Sequence, residues 1–298
     1  MPEARVTLIA SAITLAMGAF WGLYWLPVRA LDARGLPGAW GTLAITLCAL
    51  GVLAPVALAR RREIGRGAPV ALVSIALGGA AFALYSIGFV YGRVALVILM
   101  WFLTPVWSTL IGRFVMGWPT PRLRYLAIMV GLGGLALMLG AGDGLPLPRD
   151  LGEWMTLAGG VLWSIATTGI RAKSDLGAPA SAFVFALGAT LVTLLLAPFL
   201  EPLPAPDAVR DLARTVSLAL VTGALWWGLS LAALMWATVR LEPARVGLLL
   251  MTEVLVGALS AAFLAGETLS PMELAGGLLV LGAGLLELWP LREERGTG

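Results

Sequence analysis

Apolar residues run along this chain in ten long stretches, over residues 6–28, 37–59, 68–91, 94–116, 122–141, 154–170, 179–200, 215–236, 244–265 and 271–289. Charged residues collect in the short connectors between them. At ~1.5 Å per residue, a helix of such length reaches roughly 27 to 36 Å, close to the hydrocarbon thickness of a bilayer. A soluble core has no use for ten such segments in succession. The pattern predicts an all-α polytopic membrane protein with ten transmembrane helices. Trp118, Trp154, Trp236 and Trp289 fall near predicted helix ends, where indoles favour the headgroup zone.

Composition narrows the picture further. Charged residues make up 12% of the chain, about half the ~25% of a soluble domain, and mean hydropathy is +0.92. The connector Arg60-Arg61-Arg62-Glu63-Ile64-Gly65-Arg66 belongs inside by the positive-inside rule. An inward amino terminus then puts most basic residues on the same side, including Arg5, Arg113, Arg122, Arg124, Arg171, Lys173, Arg240, Arg245, Arg292 and Arg295. The outer connectors hold many of the acids, among them Asp143, Asp150, Glu153, Glu201, Asp207 and Asp211. Both termini are therefore expected in the cytoplasm, and the first apolar stretch reads as a retained span rather than a cleaved signal.

Several chemistries drop out. There is no histidine, and Cys48 is the single cysteine, which removes His/Cys metal clusters, intrachain disulfides, dithiol redox chemistry and histidine-dependent nucleophiles. No phosphate-binding Gly-x-x-x-x-Gly-Lys-Ser/Thr loop is present. The net charge of +3 is spread over helix ends, not over one basic stripe, so nucleic acid is not an expected partner. The expectation is a protein that is not an enzyme and has no cofactor. Proton coupling stays open, a small-molecule substrate and membrane lipid are the partners, and no obligate protein partner is evident.

The two halves of the chain resemble one another. Trp21-Gly22-Leu23-Tyr24-Trp25-Leu26-Pro27-Val28-Arg29 aligns with Trp163-Ser164-Ile165-Ala166-Thr167-Thr168-Gly169-Ile170-Arg171, and the same offset pairs Pro37 with Pro179. With small gaps, Thr104-Pro105-Val106 meets Thr252-Glu253-Val254, and Pro121 and Gly134 meet Pro271 and Gly284. Residues 1–142 would form one five-helix repeat, 143–153 a periplasmic connector, and 154–298 a second repeat with a short cytoplasmic tail. Five spans per half is an odd number, so the second copy enters the membrane upside down. Such inverted symmetry is common among secondary carriers.

On these marks the chain resembles the drug/metabolite transporter superfamily. It is similar to the EamA type with two five-helix repeats, and within that type to bacterial exporters of aromatic and other amino acids. The resemblance covers residues 6–290 and rests on Trp21-Gly22, Trp163-Ser164, Thr104-Pro105, and Gly266-Glu267 followed by Pro271 and a glycine-rich last helix. The first half departs from it, with Gly117-Trp118 where the second has Gly266-Glu267. The resemblance implies an inner-membrane exporter of small organic metabolites, amino acids first and drugs or purine-related metabolites next. Its central cavity would be lined mainly by the first, third, fourth and sixth helices and their repeat counterparts. A passive solute channel and a membrane-embedded lipid enzyme are the alternatives from other classes.

Candidate substrate-binding residues follow from depth. Trp21 lies mid-span, with Tyr24 and Trp25 within a turn of it; Tyr85, Trp101, Trp163 and Trp227 add rings at comparable depth. Indole N–H groups at membrane depth need partners, which a polar cavity supplies. The plain alternative for each ring is lipid contact or void filling. Glu253 is the sharpest polar feature, since an ionised carboxylate near mid-span costs ~2.5 to 3.5 kcal/mol on insertion scales unless water or a partner reaches it. It is expected either to face the cavity, as a charge partner or proton acceptor, or to be a hydrogen-bonded structural group. Arg29 and Arg171 read as interfacial anchors.

Overall fold

The computed structural model describes residues 3–117, 121–140, 147–173, 176–205, 207–238, 240–241 and 243–288, and among these no strand occurs. Trp118, Asp143, Trp289, Arg292, Arg295 and residues 143–146 of the expected connector lie outside the described residues, as do the side chains of Arg171 and Lys173.

Long helices follow one another with short connectors: α1 (Ala4–Asp32), α2 (Ala39–Ala59), α3 (Pro69–Tyr91), α4 (Val94–Phe114) and α5 (Arg122–Leu139). The second half continues with α6 (Leu151–Lys173), α7 (Ala178–Leu200), α8 (Leu212–Leu234), α9 (Arg245–Leu264) and α10 (Pro271–Leu288). Eight of them are long and apolar enough to cross a membrane by length and composition. The exceptions are α6, which carries Glu153 in its first turn, and α10, whose apolar part Pro271–Leu286 is shorter. The chain is thus a multi-pass helical membrane protein, with eight helices among the described residues long and apolar enough to cross.

Polarity is inverted relative to a soluble bundle. Large apolar side chains point outward, as with Phe199 and Phe263, each 81% exposed, while Thr14, Thr42, Thr46, Ser86, Ser164 and Thr193 are buried. Lipid solvates the outer rings, so close packing rather than water exclusion holds the helices together. Glycine supplies the closeness. A Cβ at Gly79 of α3 would collide with the Phe185 carbonyl of α7, and one at Gly188 of α7 with the Ala76 carbonyl of α3. Gly134 of α5 and Gly276 of α10 face one another's backbones in the same way.

Three helices are interrupted at membrane depth. In α1 a turn separates Glu3–Trp21 from Trp25–Asp32, in α4 Phe102 and Leu103 separate Val94–Trp101 from Thr104–Phe114, and in α9 Met251 separates Pro243–Leu250 from Thr252–Leu264. For α4 the cause is Pro105, which lacks an N–H and clashes with the preceding helical turn. In α8 the backbone widens into a π-helix over Gly223–Ser230.

Hydrogen bonds sort the connectors onto two faces. Glu63 accepts from the Gly177 N–H (2.6 Å), joining the α2–α3 and α6–α7 connectors on what we term the basic face. On the opposite face the Arg210 N–H donates to the Arg34 carbonyl (2.9 Å) and Tyr91 donates to Glu201 (3.1 Å). Bonds from Arg29, Arg93 and Arg149 draw the α3–α4, α5–α6 and α9–α10 connectors onto that same face.

Packing sets α3 against α6 and α7, and α8 against α1 and α2; α4 packs on α6 and α9, and α9 on α1 and α4. The pairs α2–α7 and α5–α10 complete the bundle.

Candidate functional site

A cavity of about 450 Å³ opens among α1, α3, α4, α6, α7, α8, α9 and α10, within the ~300 to 1,000 Å³ typical of small-molecule sites. Its deep end is formed by Trp21, Phe82, Trp101, Trp163, Phe185 and Glu253, at the level of the interruptions in α4 and α9. Toward its mouth the walls are Ile170, Ser181, Leu234 and Gly247, close to the connectors of the basic face. The cavity therefore communicates with that face.

Phe82 organises the rings. Its centroid stands 5.3 Å from Trp21, 5.0 Å from Trp101, 5.0 Å from Trp163 and 5.3 Å from Phe185, each at a steep interplanar angle. Edge-to-face contacts aim the positive ring edge at a neighbour's negative face, worth ~0.5 to 1.5 kcal/mol per pair beyond area burial. Trp101 is stacked on Tyr85 at 4.6 Å and 25°.

Glu253 opens the second half of α9 and faces the cavity, and the Tyr85 hydroxyl donates to its Oε1 at 2.9 Å. One neutral donor satisfies one of the carboxylate's acceptor sites and leaves the other oxygen for a ligand or proton.

Behind the cavity lies a buried hydrogen-bond layer. Trp21 Nε1 donates to Ser230 (3.1 Å), Trp25 Nε1 to Ser260 (2.9 Å) and Trp227 Nε1 to the Tyr24 hydroxyl (3.0 Å). Tyr24 and Thr42 both bond Ser86, at 3.1 and 2.8 Å. Such interhelical bonds average ~0.6 kcal/mol in membranes, so they orient side chains more than they hold helices.

Beyond this layer the opposite face is sealed by ion pairs. Arg29 approaches Glu267 (3.2 Å) and donates to the carbonyls of Phe89 and Gly92, both at 2.8 Å. Glu267 also accepts from the Val94 and Ala95 N–H groups (2.9 and 3.1 Å) at the start of α4. Arg93 bonds Glu273 and the Thr268 carbonyl, and Arg149 lies 3.9 Å from Glu273. Ser270 and Glu273 cap α10 reciprocally, the Ser270 N–H meeting the carboxylate and the Glu273 N–H the hydroxyl.

Of the residues proposed from depth, Trp21, Trp101, Trp163 and Glu253 line the cavity. Tyr85 stands one layer back and reaches it through Glu253, while Tyr24, Trp25 and Trp227 belong to the buried layer. Phe82 and Phe185 were not singled out from sequence, since phenylalanine in an apolar stretch looks the same facing lipid or cavity. Arg29, expected as an interfacial anchor, is tied to Glu267 on the opposite face. Among the described residues no cluster of metal-ligating side chains occurs.

No family profile and no curated protein matches the chain. A solved structure titled only "Crystal structure of protein" is 18% identical, with a TM-score of 0.58 over 95% of this chain and 96% of that one. At that identity the likeness speaks to the fold alone, a whole-length helical membrane bundle.

Proposed function

We propose that this protein is a secondary active exporter of small organic metabolites, working by alternating access in a bacterial inner membrane with both termini cytoplasmic. The reading includes ten crossings, with α6 and α10 spanning as well, in two inverted five-helix repeats. The packing pattern supports the repeat. Exchanging α1 with α6, α2 with α7, α3 with α8, α4 with α9 and α5 with α10 turns the α3–α6 contact into α8–α1, α3–α7 into α8–α2 and α4–α6 into α9–α1, all of which exist. Interruptions in α4 and α9 fall at aligned positions, Leu103 against Met251. Broken helices beside a mid-membrane site are a recurring feature of carriers.

One observation carries the proposal: a cavity reaching Glu253 from the basic face and stopped by an aromatic layer and ion pairs on the other. An open channel would be continuous. In this reading the basic face is cytoplasmic, cargo enters the open cavity, and the Arg29–Glu267 and Arg93–Glu273 contacts part to release it outward. Glu253 is the charge partner or proton acceptor, and neither a cofactor nor a covalent step is involved. By the resemblance stated above, amino acids, aromatic ones included, are the first cargo class, with drugs and purine-related metabolites next.

Counterflow in proteoliposomes against a metabolite panel, with and without a pH gradient, tests this. Saturable exchange accelerated by cargo on the far side is expected; flux that neither saturates nor shows counterflow would instead mean a channel.

A further inference from the structure

Resting on the carrier reading, but moving its cargo away from the amino acids that the resemblance puts first, we infer that the cavity selects an organic amine with an apolar or aromatic body and no free carboxylate: a decarboxylated or carboxyl-blocked relative of an amino acid rather than the zwitterion. The charge inventory leads there. Glu253 is the one ionisable side chain among the residues lining the cavity, and no Lys or Arg joins it among the described residues. The arginines beyond the aromatic layer are engaged with acids and carbonyl oxygens of the opposite face: Arg29 with Glu267, Phe89 and Gly92, Arg93 with Glu273 and Thr268, Arg149 with Glu273 and Leu139.

Backbone donors do not replace them. Half-helix starts at membrane depth hold anionic groups through free N–H groups and the positive helix end. Here the second half of α4 begins Thr104-Pro105, where the proline has no N–H, and the second half of α9 begins Thr252-Glu253, where a carboxylate already sits. A cargo carboxylate brought to the deep end would meet Glu253 and aromatic rings, with like-charge repulsion and no cationic side chain to offset its lost hydration.

An ammonium fits the same inventory. Glu253 offers an oxygen beyond the one Tyr85 binds, and a cation within about 6 Å of a tryptophan face gains from the ring quadrupole. Trp21, Trp101 and Trp163 line the cavity with that residue. At about 450 Å³ it accommodates an arylalkylamine with room for a larger ring system.

The experiment is counterflow with the full chain in proteoliposomes, using phenethylamine, phenylalaninamide, phenylalanine and phenylpropionate, which share the ring and differ at the polar end. Phenethylamine and phenylalaninamide should half-saturate at least tenfold below phenylalanine, with phenylpropionate inert. The preference should collapse in Glu253→Gln, whose insertion is checked by its melting curve in detergent. A smaller preference in the wild-type chain, or a phenylalanine advantage, overturns the inference while leaving the carrier reading intact. Absence of counterflow for all four compounds also overturns the inference; the carrier reading falls with it only if the wider metabolite panel shows no counterflow either.

Discussion

The Arg29 guanidinium stands 3.2 Å from the Glu267 carboxylate, and that carboxylate also receives the first two N–H groups of α4. The contact ties α1, the α3–α4 corner and the α9–α10 connector together on the closed face. Hydrogen bonds to a charged group are worth ~1.5 to 3 kcal/mol, so removing the charge shifts a two-state gate by roughly tenfold or more. Glu267→Gln is expected to raise labelling of a cysteine placed at Ser260, in a Cys48→Ala background, by roughly tenfold with a membrane-impermeant maleimide added from the closed side. Unchanged labelling would mean that the pair does not hold this face shut. The repeat alignment sets Trp118 opposite Glu267, so the first half offers no acid at the matching position.

Glu253 and Tyr85 separate a charge role from a positioning role. Removing the charge in Glu253→Gln should lower exchange at least ~10-fold and abolish any response to an imposed pH gradient, with insertion unchanged. Tyr85→Phe keeps the ring stacked on Trp101 and leaves the carboxylate in place, deleting one hydrogen bond to a charged group of ~1.5 to 3 kcal/mol. A loss of roughly tenfold is expected there, with pH dependence retained. Loss of the pH dependence in Tyr85→Phe as well would show that the hydroxyl does more than orient the carboxylate.

Ring substitutions should act on cargo affinity before turnover. Trp21→Ala and Trp163→Ala each remove a cavity wall and are expected to raise the half-saturating concentration several-fold. Phe82→Ala should be the most severe, because Phe82 touches Trp21, Trp101, Trp163 and Phe185 together. Unchanged half-saturation in all three would remove the aromatic cavity as the cargo site.

Legibility in the sequence followed the contrast each residue makes with its surroundings. Charged connectors against apolar runs made the helices visible to within a few residues, as with 39–59 against the expected 37–59. Glu253 stood out because a carboxylate at that depth is costly, and Trp21, Trp101 and Trp163 because indoles away from the interface require partners. Phe82 and Phe185 carry no polar atom to betray their side. Tyr24, Trp25 and Trp227 show the opposite limit: their N–H and O–H groups do find partners, but these are Ser86, Ser260 and one another, not a cavity. The Arg29–Glu267 contact joins residues far apart in sequence, and charge at a helix end reads equally well as an anchor.

Helix approach gives the last test. Gly79 in α3 and Gly188 in α7 each sit where an added Cβ would collide with a backbone carbonyl of the other helix, Phe185 and Ala76 respectively. A carbonyl cannot swing aside as a flexible side chain does, so either α3 and α7 separate or the substitution is strained, at ~1 to 3 kcal/mol for overpacking. Separation would also carry Phe82 on α3 away from Phe185 on α7, since their rings touch at 5.3 Å. Gly79→Val should therefore lower the melting temperature in detergent and weaken cargo binding together. Gly51, with open space around it, serves as the control, and Gly51→Val should leave both properties unchanged. A Gly79→Val protein as stable as wild type, with normal half-saturation, would show that the two helices do not pack this closely.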